Sequence, residues 1–264
     1  MENDSLGDRM KSFEATTTSQ RLMQQLPWLV RLDGKGFHKF TKGLERPFSL
    51  PLRELMLETT VELVKMTNAN VGYTQSDEIT ICWNNKDYKN EGFFAGKIYK
   101  INSIMASLCT LTFNRLLPKY LDKKYADQCP LFDCRVFYVP NDMEAYNVFL
   151  WRELDATRNS IQMAGSSVFS HSSLQNKNCD QIQEMLFSER NINWNNYPDW
   201  CKRGTFVRRK KEMVKFEGKE LDKLPLNHKA RSNPDLLVKR SVLKIGSSPI
   251  LTKLENPVDW LFGE

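Results

Sequence analysis

The succession of hydrophobic periodicities between residues 28 and 139 limits the folds open to this chain. "WLVRLD" (28–33) alternates apolar and polar residues and stops at Gly34, which predicts a strand. From Ser49 the repeat lengthens: Leu52, Leu55, Met56, Leu63 and Met66 follow helical spacing, with Pro51 near the start. A hairpin is predicted next, one arm through Val71 and Tyr73, the other through Ile79, Ile81 and Trp83. Helical spacing returns from about Lys97 to Leu117, with Ile101, Ile104, Met105, Leu108 and Leu111 on one face. "LFDCRVFYV" (131–139) alternates again and stops at Pro140. The order is βαββαβ, a ferredoxin-like unit of α+β class.

That order has a positional consequence. A right-handed crossover makes the first two strands parallel, and the third, returning by hairpin, fits between them antiparallel to both. The turn at Ser76-Asp77-Glu78 then lies at the same end of the sheet as Asp33. Acidic residues are also ordinary in turns, where Asp bonds its own backbone and water solvates the charge. Carboxylates that converge repel one another unless a cation holds them. Oxygen donors without a Cys or His cluster favour Mg²⁺ over zinc or iron. Two such ions could bridge carboxylates and nucleotide in phosphoryl transfer.

Around Asp33 the chain reads "RLDGKGFHKF" (31–40). Gly34 and Gly36 let backbone amides approach a phosphate, and Arg31, Lys35, His38 and Lys39 offer charge. His38 could equally serve only to satisfy backbone groups in a tight loop. The GxG lacks the third glycine of a dinucleotide fingerprint, and no P-loop pattern occurs. An aspartate-nucleophile phosphatase would need an Asp where Arg31 stands. Lys97 and Lys100 share a helix face, either as solubilising charges or as contacts to a second nucleotide or an RNA 5′ end.

A chain of 264 residues with 41% hydrophobic and 27% charged residues can bury a substantial core. No apolar stretch reaches the length of a membrane span. "MENDSLGDRM" has neither an apolar leader core nor transit-peptide character. The six cysteines are scattered without CxxC pairs, which reads as reduced thiols and a cytoplasmic location. The net charge of +6 is uneven: Lys202, Arg203, Arg208, Arg209, Lys210 and Lys211 cluster just after Trp194, Tyr197 and Trp200. Bases interleaved with aromatics suit a phosphate-rich, partly single-stranded partner; the alternative is a solvated helix or loop face. The expected division is a ferredoxin-like domain over 4–139 and a mixed, largely helical C-terminal domain over 140–264 that carries the basic segment.

The segments "DSLGDRMKSFE", "RLDGKGFHKF", "YTQSDEI", "FDCRV", "WRELDATRNSI" and "LFSERNINWNN", in that order, resemble the tRNA-histidine guanylyltransferase family. The resemblance implies a polymerase-like palm that adds nucleotides to tRNA in the 3′-to-5′ direction, using ATP, GTP and other NTPs, and a homotetramer. It implies two Mg²⁺ ions held by Asp33, the carbonyl of Gly34 and Asp77, with Glu78 catalytic and Ser76 in the same site. Arg31, Gly34, Lys35, Gly36, Phe37 and His38 would form the nucleotide loop, and Arg46, Lys97 and Lys100 further nucleotide contacts. Asn159, Lys202, Arg203, Arg208, Arg209 and Lys210 are the expected RNA contacts.

One departure stands out. Where eukaryotic members carry "HINNLYN" after "WRQ", this chain reads "WRELDATRNSIQMAG", and only Asn159 of that segment survives. That is similar to the Thg-one-like branch, which implies template-dependent repair of tRNA 5′ ends rather than a dedicated histidine-tRNA guanylyltransferase. A palm retained only for binding RNA and a palm-type nucleotide cyclase are the rival classes.

Overall fold

The computed structural model describes residues 5–216, 218–233 and 235–263. Residues 4 and 264, the expected outer limits of the two domains, lie outside the described residues. The βαββαβ order is present as β1 (Trp28–Gly34), α3 (Leu50–Met66), β2 (Val71–Gln75), β3 (Glu78–Trp83), α4 (Ile98–Tyr120) and β4 (Phe132–Tyr138). An N-terminal α1 (Leu6–Thr18) precedes them, and the short helices α2 (Phe37–Phe40) and α5 (Lys123–Ala126) lie in the connections. Beyond come α6 (Asp142–Val168), α7 (His171–Leu174), α8 (Cys179–Arg190), α9 (Asp199–Arg203) and β5 (Thr205–Val214). The chain ends through α10 (Lys219–Asp222), α11 (Lys229–Ser232), β6 (Val238–Ser247) and α12 (Pro257–Phe262).

The six strands form one sheet in the order β4-β1-β3-β2-β5-β6. Both β1 and β2 pair antiparallel with β3, so they run parallel to each other, as the crossover argument requires. The segment from residue 140 is not confined to helices packed beside the palm. Its β5 pairs with β2 in the register Gly72↔Val207 and Tyr73↔Phe206, and β6 pairs with β5, so it supplies a third of the sheet. The run of bases had hidden this strand, because Phe206 and Val207 are adjacent and only charged residues follow as far as Glu212, so no alternation shows.

Strand parity divides the core. On one face Val30, Leu32, Ile79 and Ile81 pack against Leu55, Met56 and Leu63 of α3 and Ile101, Met105 and Phe113 of α4. On the other, Leu29, Tyr73, Cys82 and Phe206 meet Ala145, Tyr146 and Phe149 of α6. Fully burying each such side chain contributes roughly 1.5–3 kcal/mol. Helix starts are fixed by side-chain caps: Ser49 accepts from Leu52 N, and Asn141 from Glu144 N. Gly72 is required by close packing, since a Cβ there would come within 2.6 Å of Val64 Cγ2. Among the described residues no helix is long and apolar enough to cross a membrane.

Candidate active site

The β2–β3 connection is a two-residue turn, Ser76-Asp77, closed by the Gln75↔Glu78 pair. Tight hairpins need positive φ, and Ser76 adopts φ 48° without being glycine. Backbone strain of that kind clusters at functional sites. The Gly34 amide donates to the Asp77 carbonyl at 3.2 Å, which ties the end of β1 to the turn. Gly34 is also sterically required: a Cβ would lie 2.2 Å from the Phe37 ring. Asp33, Gly34, Ser76 and Asp77 are therefore gathered at one end of the sheet, as the strand order predicts.

Burial, with the charges of Asp33 and Glu78, pushes the Asp77 carboxyl up to about 6, against the pull of its own amide and the Ser76 hydroxyl. A bound cation would relieve that repulsion. Among the described residues no group of three or more His, Cys, Asp or Glu side chains is arranged for a metal. The donors at this end are two carboxylates and backbone oxygen, which suits an ion that keeps waters and substrate phosphates as its other ligands.

Glu78 has a different setting. It starts β3, in register with Asp33, and its side chain is buried. Arg152 Nε donates to Glu78 Oε1 at 2.7 Å, and Arg31 donates to Oε2 at 3.1 Å. Burial pushes this carboxyl up, against the pull of the Arg152 and Arg31 guanidiniums. Arg152 loses solvation too, but Glu78 and Asp155 outweigh the loss and raise its pKa. Both oxygens of Glu78 are thus engaged by cations of the chain itself. They hold its side chain in place next to the Ser76-Asp77 turn.

A cleft of about 550 Å³ opens beside the turn, within the range of small-ligand sites. Gly34, Gly36, Phe37, His38, Arg46, Ser76 and Asp77 line it, together with Met163, Ser166 and Ser167 of α6. Phe37 has a second duty, since its ring packs 5.0 Å from those of Phe40 and Phe132. Lys35 is exposed at the end of β1, its amide bonded to the Leu131 carbonyl. Arg31 lies outside the cleft, against Glu78 and 5.4 Å from the Trp151 ring. Asn159 lines a smaller recess that shares Ser49 and Ser76 with the cleft, and donates to Asp155 at 3.1 Å.

Two groups of expected contacts are elsewhere. Lys97 and Lys100 lie at the Trp28 end of the sheet, opposite Asp33: Gly96 packs on the Trp28 ring, and the Lys100 ammonium sits 4.9 Å from the Phe94 ring. The signal was in the topology, because the helix after β3 must begin at the end where β3 finishes. The basic segment is not an open patch. Lys202 donates to the Asn195 carbonyl, and Arg203 to the Ser248 carbonyl and Asp199. Arg208 and Lys210 donate to the Trp260 carbonyl, while Arg209 bonds Ala69, Val64 and Ser241. Burial lowers the pKa of Arg208, Arg209 and Lys210. These charges fasten β5 to its neighbours.

Sequence reasoning passed over three residues of this face. Arg152 lies on the buried stripe of α6 with Phe149 and Ala156, where a charge signals an internal partner. Asp133 stands directly opposite Asp33 in the β1–β4 register, which the strand order alone could have revealed. Trp151 is half-exposed beside Arg31.

Residues 7–140 match the model of the tRNAHis guanylyltransferase (Thg1) family. An uncharacterized protein of Acanthamoeba polyphaga mimivirus is 32% identical over 236 residues, covering 81% of this chain and 80% of its own length. The tRNA(His) guanylyltransferase of Schizosaccharomyces pombe is 28% identical over 258 residues, 88% of this chain and 97% of its own. A bacterial tRNA(His) guanylyltransferase (Thg1)-like protein solved in complex with ATP superposes with a TM-score of 0.79 at 32% identity, over 98% of this chain and 99% of that one. A bacterial Thg1-like protein in complex with GTP gives 0.72 at 31% identity, over 97% and 99%. Six strands in this order, the paired Asp33 and Asp77 at their end, and these likenesses lead to one statement: the chain belongs to the tRNAHis guanylyltransferase (Thg1) family, whose members are nucleotidyltransferases.

Proposed function

We propose that this protein adds nucleotides to the 5′ end of tRNA in the 3′-to-5′ direction, repairing ends that lack a nucleotide by pairing with the opposite strand. The observation that carries the reading is that Asp77 lines a nucleotide-sized cleft while the Gly34 amide, next to Asp33, bonds its carbonyl, so that the Asp33 charge acts on the Asp77 carboxyl. Asp33, Asp77 and the Gly34 carbonyl would hold two Mg²⁺ ions, which when bound polarise the attacking hydroxyl and neutralise triphosphate charge. The donor chemistry fits, since hard oxygens favour a divalent cation, and a buried Asp77 carboxyl beside the charge of Asp33 would gain from one. His38 and Arg46 on the cleft wall, with Lys35 beside them, would orient the triphosphate, and Ser76 would present its hydroxyl and amide to it. The RNA 5′-monophosphate would first attack the α-phosphorus of ATP or GTP, forming a phosphoanhydride and releasing pyrophosphate; the 3′-hydroxyl of the incoming NTP would then attack the RNA phosphate, lose its proton and displace AMP or GMP. Most of the acceleration would come from positioning and electrostatics.

Lys97 and Lys100 lie about 20 Å from Asp33, the length of β1 at roughly 3.4 Å per residue. A lysine on the same chain does not span that distance. They would serve the cleft of a neighbouring copy, in keeping with the homotetramer that the resemblance implies. The specificity reading rests on "ELDATRNSIQ" in α6, where Asn159 is tied to Asp155. Varying the templating base of a tRNA lacking its 5′ nucleotide tests it. Incorporation is expected to follow the opposing base on histidine and non-histidine tRNAs alike. Addition of G alone, to histidine tRNA alone, would replace this reading with that of a dedicated guanylyltransferase.

A further inference from the structure

The α6 face of the β1–β4 edge carries a feature that the cleft does not use. Trp151 keeps 52% of its surface in solvent, although it stands beside a buried charge cluster. The Arg152 guanidinium lies 4.5 Å from its ring centre and that of Arg31 5.4 Å. Both cations are bonded to Glu78 in the sheet and are themselves largely buried, while about half of the Trp151 surface stays open to solvent. Leu154 and Arg158 continue an exposed stripe along the helix toward the carboxylate end. Arg31 is two residues from Asp33 on the same strand face, about 7 Å at the usual rise. Exposed Arg135 stands opposite Arg31 in β4. Trp151 is absent from the lining of the triphosphate cleft, which is walled by the loop after β1 and the far half of α6.

We propose that Trp151 is the stacking platform for the 5′-terminal nucleobase of the RNA, presented to Asp33 from the side opposite the NTP cleft. An aromatic ring flanked by cations, half open to water and beside an arginine two residues from Asp33, suits a base and not an apolar peptide. Stacking accepts any base, so the platform places a 5′ end without reading its identity. Cations beneath the ring add cation–π attraction that fixes its orientation. The inference rests on the tRNA reading above. It differs from that reading in naming where the second substrate lies and which side chain meets its base.

The test is equilibrium binding by the full chain, which separates the platform from turnover. The probes are a 5′-monophosphorylated tRNA and the same tRNA with an abasic 5′-terminal nucleotide. Base–aromatic stacking of about 1–3 kcal/mol corresponds to roughly five- to 150-fold in affinity. Trp151→Ala is expected to weaken binding of the intact tRNA by about tenfold or more on that scale, and Trp151→Phe to retain most of it. The abasic tRNA should bind the wild type as weakly as it binds Trp151→Ala, and ATP and GTP affinities should not move in either variant. Unchanged tRNA binding by a folded Trp151→Ala, an equal loss on the abasic tRNA, or a loss confined to ATP or GTP would overturn the platform. Failure of the wild type to bind tRNA at all would remove the tRNA reading itself.

Discussion

At the residue scale, the site is governed by how buried charges are compensated. Arg152 and Arg31 enclose Glu78, so removing the Arg152 guanidinium strips the buried carboxylate of its shorter ion pair and leaves only the 3.1 Å contact to Arg31. Breaking such a pair costs about 3–5 kcal/mol. Arg152→Ala should therefore lose stability of that order in denaturant melts, and adding Glu78→Gln should restore much of it, because the stranded charge is gone. A double variant no more stable than Arg152→Ala would mean that the arginine acts through packing alone. Glu153 is the contrasting case: it is buried, and burial raises its pKa against the weaker pull of Arg203. The folded state then holds a proton that the unfolded state gives up near pH 4.3. Stability consequently falls as pH rises from that unfolded value through the raised folded one. Glu153→Gln should flatten the decline and melt higher than the wild type at pH 7; identical melting profiles from pH 4 to 8 would contradict this.

At the element scale, what could be read in advance depended on whether a residue's partner was local. The alternation of "WLVRLD" and the helical spacing from Ser49 report local geometry, and β1 and α3 were legible for that reason. The turn at Ser76-Asp77 was legible because its two arms are adjacent in sequence. β5 was not. Its charges look like a nucleic-acid patch, yet Arg209 reaches back to carbonyls at Val64 and Ala69, which no local pattern announces. Arg209→Ala should cost about 2 kcal/mol, in line with lost bonds from a charged donor. The salt dependence of tRNA binding should keep its slope, since no phosphate contact is removed. A shallower slope with unchanged stability would return this strand to the RNA interface.

At the scale of the whole molecule, one sheet does three things. Its strand order gathers Asp33 and Asp77 from distant positions, and this much followed from topology before any coordinates. The two strands at one side of it, β5 and β6, come from the C-terminal segment, so the palm and the basic hairpin share a backbone ladder. Its length separates Lys97 and Lys100 from the carboxylates, which is the reason for the proposal that they serve the cleft of a neighbouring copy. The role of Arg152 stayed hidden, because which face of α6 meets which strand is decided only when the sheet is covered. All of this converges on the claim that the two aspartates perform nucleotide addition. Single-turnover addition to a tRNA lacking its 5′ nucleotide, in Mg²⁺, measured for Asp33→Ala and Asp77→Ala, tests it most directly. The account predicts a rate loss of at least about a hundredfold in each, the scale of lost transition-state stabilisation, with tRNA affinity and melting temperature held. Near-normal turnover by either variant would contradict it.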